Sequence, residues 1–163
     1  MPHFLSTFLL VLSIFALNAA AITLNCDFKV SHSTFGYGRE YACVVDGISI
    51  TSIDDRTVTE ISGTHKRGRS NEDVKMLEIS QNTLHYFPKN IGKFFKNIDM
   101  IAVFHSELKE IYHDDLKDFP KLQILWMENG DLEVLESGVF DGNPELEFIA
   151  ISSNKIRHVD AGV

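Results

Sequence analysis

Residues that could do acid–base or metal chemistry are scattered through this chain and do not form a motif. The seven histidines include no HExxH or other metal-ligand spacing, and there is no GxSxG sequence or P-loop. The acidic doublets Asp54-Asp55 and Asp114-Asp115 are explained by charged turns at least as well as by general acid–base pairs. The sequence therefore predicts a non-enzymatic protein with no catalytic site, no metal site and no cofactor.

The first 21 residues have the composition of a secretory signal peptide. Residues 8–17 form a short apolar run, and three alanines at 19–21 supply the small residues that signal peptidase requires. The region before the run carries no Lys or Arg, which leaves an uncleaved anchor as the alternative, but the run is shorter than the ~20 residues that span a bilayer. We expect cleavage after Ala21, an extracellular location and no later membrane span.

The chain has two cysteines, Cys26 and Cys43, both near its amino terminus. In a secreted protein an even pair of this kind is typical of a disulfide. The competing interpretations, a metal ligand or a catalytic thiol, need nearby His or Cys partners that the sequence does not supply. We therefore predict a Cys26–Cys43 disulfide.

Four segments repeat one apolar pattern at an interval of 24 residues, starting at Val74, Ile98, Leu122 and Leu146. Positions 1, 4, 6, 11 and 14 of each segment are apolar in all four, although apolar residues make up only 44% of the chain. The chance of such agreement is on the order of 10⁻⁷ before allowing for the choice of register. The repeated apolar positions are Val74, Leu77, Ile79, Leu84, Phe87; Ile98, Ile101, Val103, Leu108, Ile111; Leu122, Leu125, Met127, Leu132, Leu135; and Leu146, Ile149, Ile151, Ile156, Val159.

This pattern resembles the leucine-rich repeat, LxxLxLxxNxLxxL, over residues 74–163. The ninth position, usually Asn in the family, is Asn82, Ser106, Gly130 and Asn154 in the four units. The resemblance implies an α/β solenoid, a horseshoe whose parallel sheet lies on the concave side. The units would be 74–97, 98–121, 122–145 and an incomplete 146–163.

Within each unit, positions 3 to 7 are predicted to form a short strand of the parallel sheet. Because side chains alternate along a strand, positions 4 and 6 should point into the core and positions 3, 5 and 7 the other way. The return segments should supply short helices or turns, with Phe95, Leu116, Phe119 and Phe140 as core residues.

The outward positions hold the best candidates for a binding site. They include the only tryptophan of the chain, and monomers seldom leave apolar groups clustered on a surface without a binding role. The alternative is that a flanking loop or a further repeat covers them. The candidate partner-binding residues on the concave face are Trp126, Phe104, Phe148, Met100, Ile124, Glu78 and Glu128.

Residues 22–73 are predicted to be an amino-terminal β-rich cap followed by transitional strands. Residues 26–30 and 41–45 have strand character on either side of a glycine-bearing turn at 35–38, and this arrangement looks like the disulfide-bonded cap of a leucine-rich repeat array. Residues 48–50 and 58–61 are β-rich but lie outside the 24-residue register. The polar stretch 62–73 should be a surface loop; a docking point for an acidic partner or a processing site at Lys66-Arg67 are the alternatives.

The net charge of −8 argues against nucleic acid or anionic lipid as the main partner. Secreted proteins with such repeats usually bind other proteins, so the resemblance implies a recognition module for an extracellular protein ligand, in the matrix or in innate immunity. The alternative is the truncated ectodomain of a leucine-rich repeat receptor. The last unit has no following repeat in this sequence, and we expect the mature chain to self-associate through that uncapped unit or to fray there.

Overall fold

The computed structural model describes residues 21–32 and 39–163. The predicted signal peptide, apart from Ala21, and the predicted turn at 35–38 lie outside the described residues. No helix in the described part is long and apolar enough to cross a membrane. The described elements, in chain order, are β1 (Ile22–Asn25), β2 (Asp27–His32), β3 (Arg39–Asp46), β4 (Ser49–Ile50), β5 (Val58–Ser62), a 3₁₀ turn (Asn71–Asp73), β6 (Met76–Ser80), β7 (Thr83–Leu84), α1 (Ile91–Phe94), β8 (Met100–Phe104), β9 (Glu110–Ile111), α2 (His113–Leu116), β10 (Ile124–Glu128), β11 (Val134–Leu135), β12 (Phe148–Ala150) and β13 (His158–Val159).

Most of these strands belong to parallel sheets, and the largest sheet has six strands. Its order is β12-β10-β8-β6-β3-β2, with β2 antiparallel to β3 and all other neighbours parallel. Met76, Met100, Ile124 and Phe148 lie side by side on successive strands, which is the 24-residue register of the sequence. The predicted strands at positions 3 to 7 are confirmed in the first three units, whereas β12 ends at Ala150.

The parallel pairing of strands continues towards the amino terminus, but the paired residues there are separated by a different interval, which the sequence pattern does not reveal. Cys43 pairs with Leu77 in the large sheet, and Ile50 of β4 pairs with Leu84 of β7, so both pairings join residues 34 apart. The ten additional residues are accommodated by β5, which pairs in parallel with β1, and by the polar stretch that follows. Residues 48–50 therefore continue the repeat ladder, although they are out of its 24-residue period.

The hydrophobic core lies on one side of the large sheet. All fifteen repeated apolar residues of the first three units are at most 4% exposed, because the next unit covers each of them. In the fourth unit, Ile149 is 40% and Val159 52% exposed. The predicted return-segment residues of the first two units are buried, but in the third unit Val139 is buried and Phe140 only partly so. That return segment forms turns instead of a helix, and Phe140 packs against the edge of the core.

An asparagine at the ninth repeat position hydrogen-bonds the backbone of the neighbouring unit. Asn154 Nδ2 donates to the carbonyls of Met127 (2.6 Å) and Ile151 (2.9 Å), and its Oδ1 accepts from the Leu132 amide (3.1 Å). The corresponding residue of that unit is Gly130, where an added Cβ would lie only 2.8 Å from Asn154 Oδ1. Glycine at this position therefore permits the close approach of Asn154.

The predicted disulfide between Cys26 and Cys43 is confirmed, with a Cα–Cα distance of 4.9 Å. It joins the residue just before β2 to β3. The polar stretch is a loop as predicted, but it is anchored on this region: the His65 ring stacks on Phe28 with centroids 3.7 Å apart, and the Lys66 amide donates to Tyr41 Oη.

Breaking this disulfide should destabilise the protein. We expect Cys43→Ser to lower the free energy of unfolding by about 3 kcal/mol, because the closed loop restricts the unfolded chain. Urea denaturation measures the loss. Cys26→Ser is the matched control, since removing either sulfur opens the same loop and should cost a similar amount. Two free thiols in the folded wild-type protein, detected by mass spectrometry, would contradict the pairing.

Arg56 and Asp115 form a buried ion pair that links the segment after β4 to α2. Arg56 Nη1 lies 2.6 Å from Asp115 Oδ1, and the two residues are 5% and 3% exposed. Asp115 Oδ2 also accepts a hydrogen bond from the Tyr112 amide at 3.0 Å. The interpretation of Asp114-Asp115 as a charged turn is wrong, because both residues belong to α2. Asp114 is exposed and pairs with Lys117 at 2.7 Å, whereas Asp115 is buried. Burial raises the pKa of the Asp115 carboxyl.

Candidate functional site

The outward side chains of the large sheet form a second hydrophobic cluster, separate from the main core. Its partly buried members are Phe104, Trp126 and Phe148. Position 5 of the repeat carries Trp126 next to Ala102 on β8, and the short alanine side chain leaves room beside the indole. The structure thus brings the predicted aromatic residues together on one sheet face. The buried members of the cluster are Ala42, Val44, Met76, Met100, Ala102 and Ile124.

Two of the predicted contact residues are not accessible on this face. Met100 is 1% and Ile124 3% exposed. Both lie in the middle of the row that runs from Met76 to Phe148, where strands about 4.8 Å apart let long side chains cover one another. In the unbound protein these two residues therefore pack against the aromatic residues of the cluster, and their direct contact with a partner stays a prediction.

Phe104 of β8 and Trp126 of β10 form a partly buried aromatic pair in this cluster. Their ring centroids lie 4.8 Å apart at an interplanar angle of 88°, an edge-to-face arrangement. Such a pair contributes about 0.5–1.5 kcal/mol beyond the area that it buries. Because each ring holds the other, the pair presents a rigid aromatic surface to solvent.

The two predicted carboxylates border the aromatic residues, and each is oriented by a serine. Ser31 Oγ donates to Glu78 Oε2 at 2.9 Å, and Ser152 Oγ donates to Glu128 Oε1. Glu78 and Glu128 are partly buried. The face therefore combines apolar rings with two fixed negative charges.

The second half of β2 and the aromatic residues of the sheet face line one groove. In the sheet, β2 is four strands away from β10, about 19 Å. A cavity of about 430 Å³ is nevertheless lined by residues of both strands. β2 is the edge strand of the same sheet, so it is neither the flanking loop nor the further repeat that the sequence analysis gave as the alternative. The lining residues are Lys29, Val30, Ser31, His32, Met76, Glu78, Phe104 and Trp126.

Three histidines of the described segments pair with a carboxylate or a backbone carbonyl. His85 lies 2.8 Å from Glu107, His158 lies 2.7 Å from Asp160, and His113 Nδ1 lies 3.1 Å from the Gly138 carbonyl. Among the described residues, no group of three His, Cys, Asp or Glu side chains could hold a metal ion.

No protein-family model matches this chain, and no curated protein is significantly similar to it in sequence. Its function must therefore be argued from the sheet face and the groove.

Proposed function

We propose that this protein is a secreted leucine-rich repeat recognition module that binds another protein through the concave face of its sheet. The observation that carries the proposal is the aromatic cluster of Phe104, Trp126 and Phe148, which stays partly accessible on the face opposite the core. The parallel strands at 24-residue intervals and the buried apolar pattern support the assignment to the leucine-rich repeat class.

The chemistry of the face favours a protein partner. Tryptophan and other aromatic residues dominate the binding energy of protein interfaces when they are desolvated. A groove of about 430 Å³ accommodates one or two side chains of a partner. Glu78 and Glu128 beside the rings favour a partner segment that pairs an apolar side chain with a basic one.

The proposal includes a non-enzymatic role and an extracellular location. Its support is that histidines and carboxylates pair with single neighbours, as in His85–Glu107, Asp114–Lys117 and His158–Asp160. The Cys26–Cys43 disulfide is consistent with an extracellular location, because disulfides persist in oxidising compartments.

Replacing Trp126 with alanine tests the proposal. A pull-down from the native extracellular fluid, with the purified protein as bait, first isolates the partner. We then expect Trp126→Ala to weaken binding to that partner by about 2 kcal/mol, because the variant removes the largest ring of the face. Isothermal titration calorimetry measures the change, at a temperature well below the melting temperature of each variant.

The matched control is Phe140→Ala, which also truncates a partly buried aromatic residue but in a return segment away from the sheet face. It should bind the partner as the wild type does. If Phe140→Ala loses binding while Trp126→Ala and Phe148→Ala retain it, the partner uses the return side and the proposed face is wrong.

A further inference from the structure

A cavity opens where the ladder of two-residue strands is interrupted. The short strands form two separate sheets, β4-β7 and β9-β11-β13. The break lies between the first and second units, because β7 occupies positions 10 and 11 of its unit whereas β9 occupies positions 13 and 14. The residues after β7 and those around β9 line a cavity of about 500 Å³ at this break.

Aromatic rings and carboxylates dominate the lining of this cavity. Tyr86 and Tyr112 are partly buried and contribute to its wall, as do Glu107, Glu110 and Asp131. The only lysine of the lining is Lys109, so the three carboxylates leave a formal charge of −2 when His85 is neutral. The cavity is therefore negative and partly aromatic, and it shares no lining residue with the groove on the candidate binding face.

Hydrogen bonds and ion pairs fix the polar groups of this cavity. Tyr112 Oη donates to Glu110 Oε2, and this bond raises the pKa of Tyr112 to about 12. The Tyr112 phenol thus stays protonated, and Glu110 stays oriented, across the physiological pH range. Glu107 lies 2.8 Å from His85, and Asp131 lies 2.8 Å from Lys155.

This combination of groups selects for a cation. Aromatic faces attract ammonium and guanidinium groups, and carboxylates add charge and hydrogen-bond acceptors. Tyr112 already contacts a cation within the protein, since Arg56 Cζ lies 5.7 Å from its ring centroid. An anion would meet the net negative charge, and a neutral apolar ligand would desolvate the carboxylates without compensation.

We propose that this cavity binds an organic cation, a protonated amine or a guanidinium group, through the rings of Tyr86 and Tyr112 and the carboxylates of Glu110 and Glu107. The volume is in the range of small-ligand sites. The cation comes either from a free small molecule or from a Lys or Arg side chain of a partner protein, and both sources present the same chemistry to the cavity.

Calorimetric titration of the purified protein with agmatine tests the proposal, because agmatine carries both an amine and a guanidinium group. We expect a dissociation constant of about 1 mM, as a ligand of this size allows, and no binding of neutral 1-butanol. Glu110→Gln keeps an acceptor for Tyr112 but removes the charge, and should weaken agmatine binding at least tenfold. Tyr86→Leu should weaken it about fivefold.

Glu147→Gln, at an exposed carboxylate outside the cavity, is the charge-matched control and should change agmatine affinity less than twofold. Phe104→Ala should likewise leave the agmatine affinity unchanged. A negative result for the cation cavity is therefore distinguishable from a negative result for the proposed protein-binding face.

The peptide acetyl-Gly-Arg-Gly-amide distinguishes a free small molecule from a partner's side chain as the source of the cation. Tighter binding of the peptide than of agmatine, with the same loss in Glu110→Gln, assigns the site to a partner's side chain; the reverse order assigns it to a free small molecule.

The inference is overturned if neither probe binds at concentrations on the order of 20 mM. Equal affinities of the wild type, Glu110→Gln and Tyr86→Leu for agmatine would also overturn it. Circular dichroism on each variant shows whether it is folded, and the two cavity variants act through different groups, so a folding defect in one leaves the other informative.

Discussion

Replacing Arg56 with methionine is expected to lower the free energy of unfolding by about 3–5 kcal/mol at pH 7. The Asp115 side chain has no solvent exposure, and Arg56 Nη1 lies 2.6 Å from its Oδ1. Methionine fills similar space but leaves the buried carboxylate without its counter-charge. Urea denaturation at neutral pH measures this loss.

The loss should shrink in acid. Burial raises the pKa of Asp115, and Arg56 opposes that rise by its charge and its hydrogen bond. Because the pKa of Asp115 is higher in the folded protein than in the unfolded chain, protonation of this carboxyl stabilises the fold. This stabilisation is fully present below the pKa of the unfolded chain, about 3.9, and is lost as the pH rises through the pKa of the folded protein. Removing Arg56 raises the folded pKa further, so the destabilisation relative to wild type should be smaller at pH 4 than at pH 7.

Arg69→Met provides the matched control for this experiment. Arg69 also pairs with an aspartate, Asp73, at 2.9 Å, but their side chains are 50% and 32% exposed. Exposed pairs of this kind contribute about 0–1 kcal/mol. Equal losses in Arg56→Met and Arg69→Met, or a loss in Arg56→Met that is the same at pH 4 and pH 7, would show that the buried charge is not the cause.

The repeat units were predictable from the sequence because their signal is periodic. Apolar positions that recur every 24 residues determine which side chains face the core, and alternation along a strand places the others on the opposite face. The strands Met76–Ser80, Met100–Phe104 and Ile124–Glu128 occupy the positions 3 to 7 that the resemblance implied for each unit. The disulfide was predictable for a simpler reason, since only two cysteines are present.

Features that depend on contacts between distant segments were not predictable. The interval of 34 residues between β3 and β6 lies outside the period, so the pattern does not show that Cys43 pairs with Leu77. Arg56 and Asp115 are 59 residues apart, and each alone looks like a surface charge.

The sequence predicted which residues share the candidate face, but it did not predict how exposed each of them is to solvent. Alternation places Met100 and Ile124 on the face with Trp126, but their burial depends on how the side chains of neighbouring strands pack against one another. The cavity beside Tyr86 and Tyr112 was not predictable for a related reason. It lies where the two-residue strands divide into the sheets β4-β7 and β9-β11-β13, and no local feature of the sequence indicates this division.

Leu125→Ala is expected to lower the free energy of unfolding by about 2–5 kcal/mol. Leu125 occupies position 4 of the third unit and is 1% exposed, because the side chains of the units on both sides pack against it. Truncation removes buried apolar contacts and leaves a cavity that the parallel strands cannot close by local movement. Urea denaturation followed by far-ultraviolet circular dichroism measures the loss.

Ile149→Ala is the internal control, because Ile149 occupies the same position 4 on the adjacent strand β12 and pairs directly with Leu125. It is 40% exposed, so the same kind of truncation removes less buried surface and should cost clearly less than Leu125→Ala. The two residues share backbone conformation, repeat position and apolar character, and differ mainly in how much the neighbouring structure covers them. A loss in Ile149→Ala as large as that in Leu125→Ala would mean that the last unit is covered in solution, for example by a second copy of the chain, and analytical ultracentrifugation of the wild type would then show an oligomer.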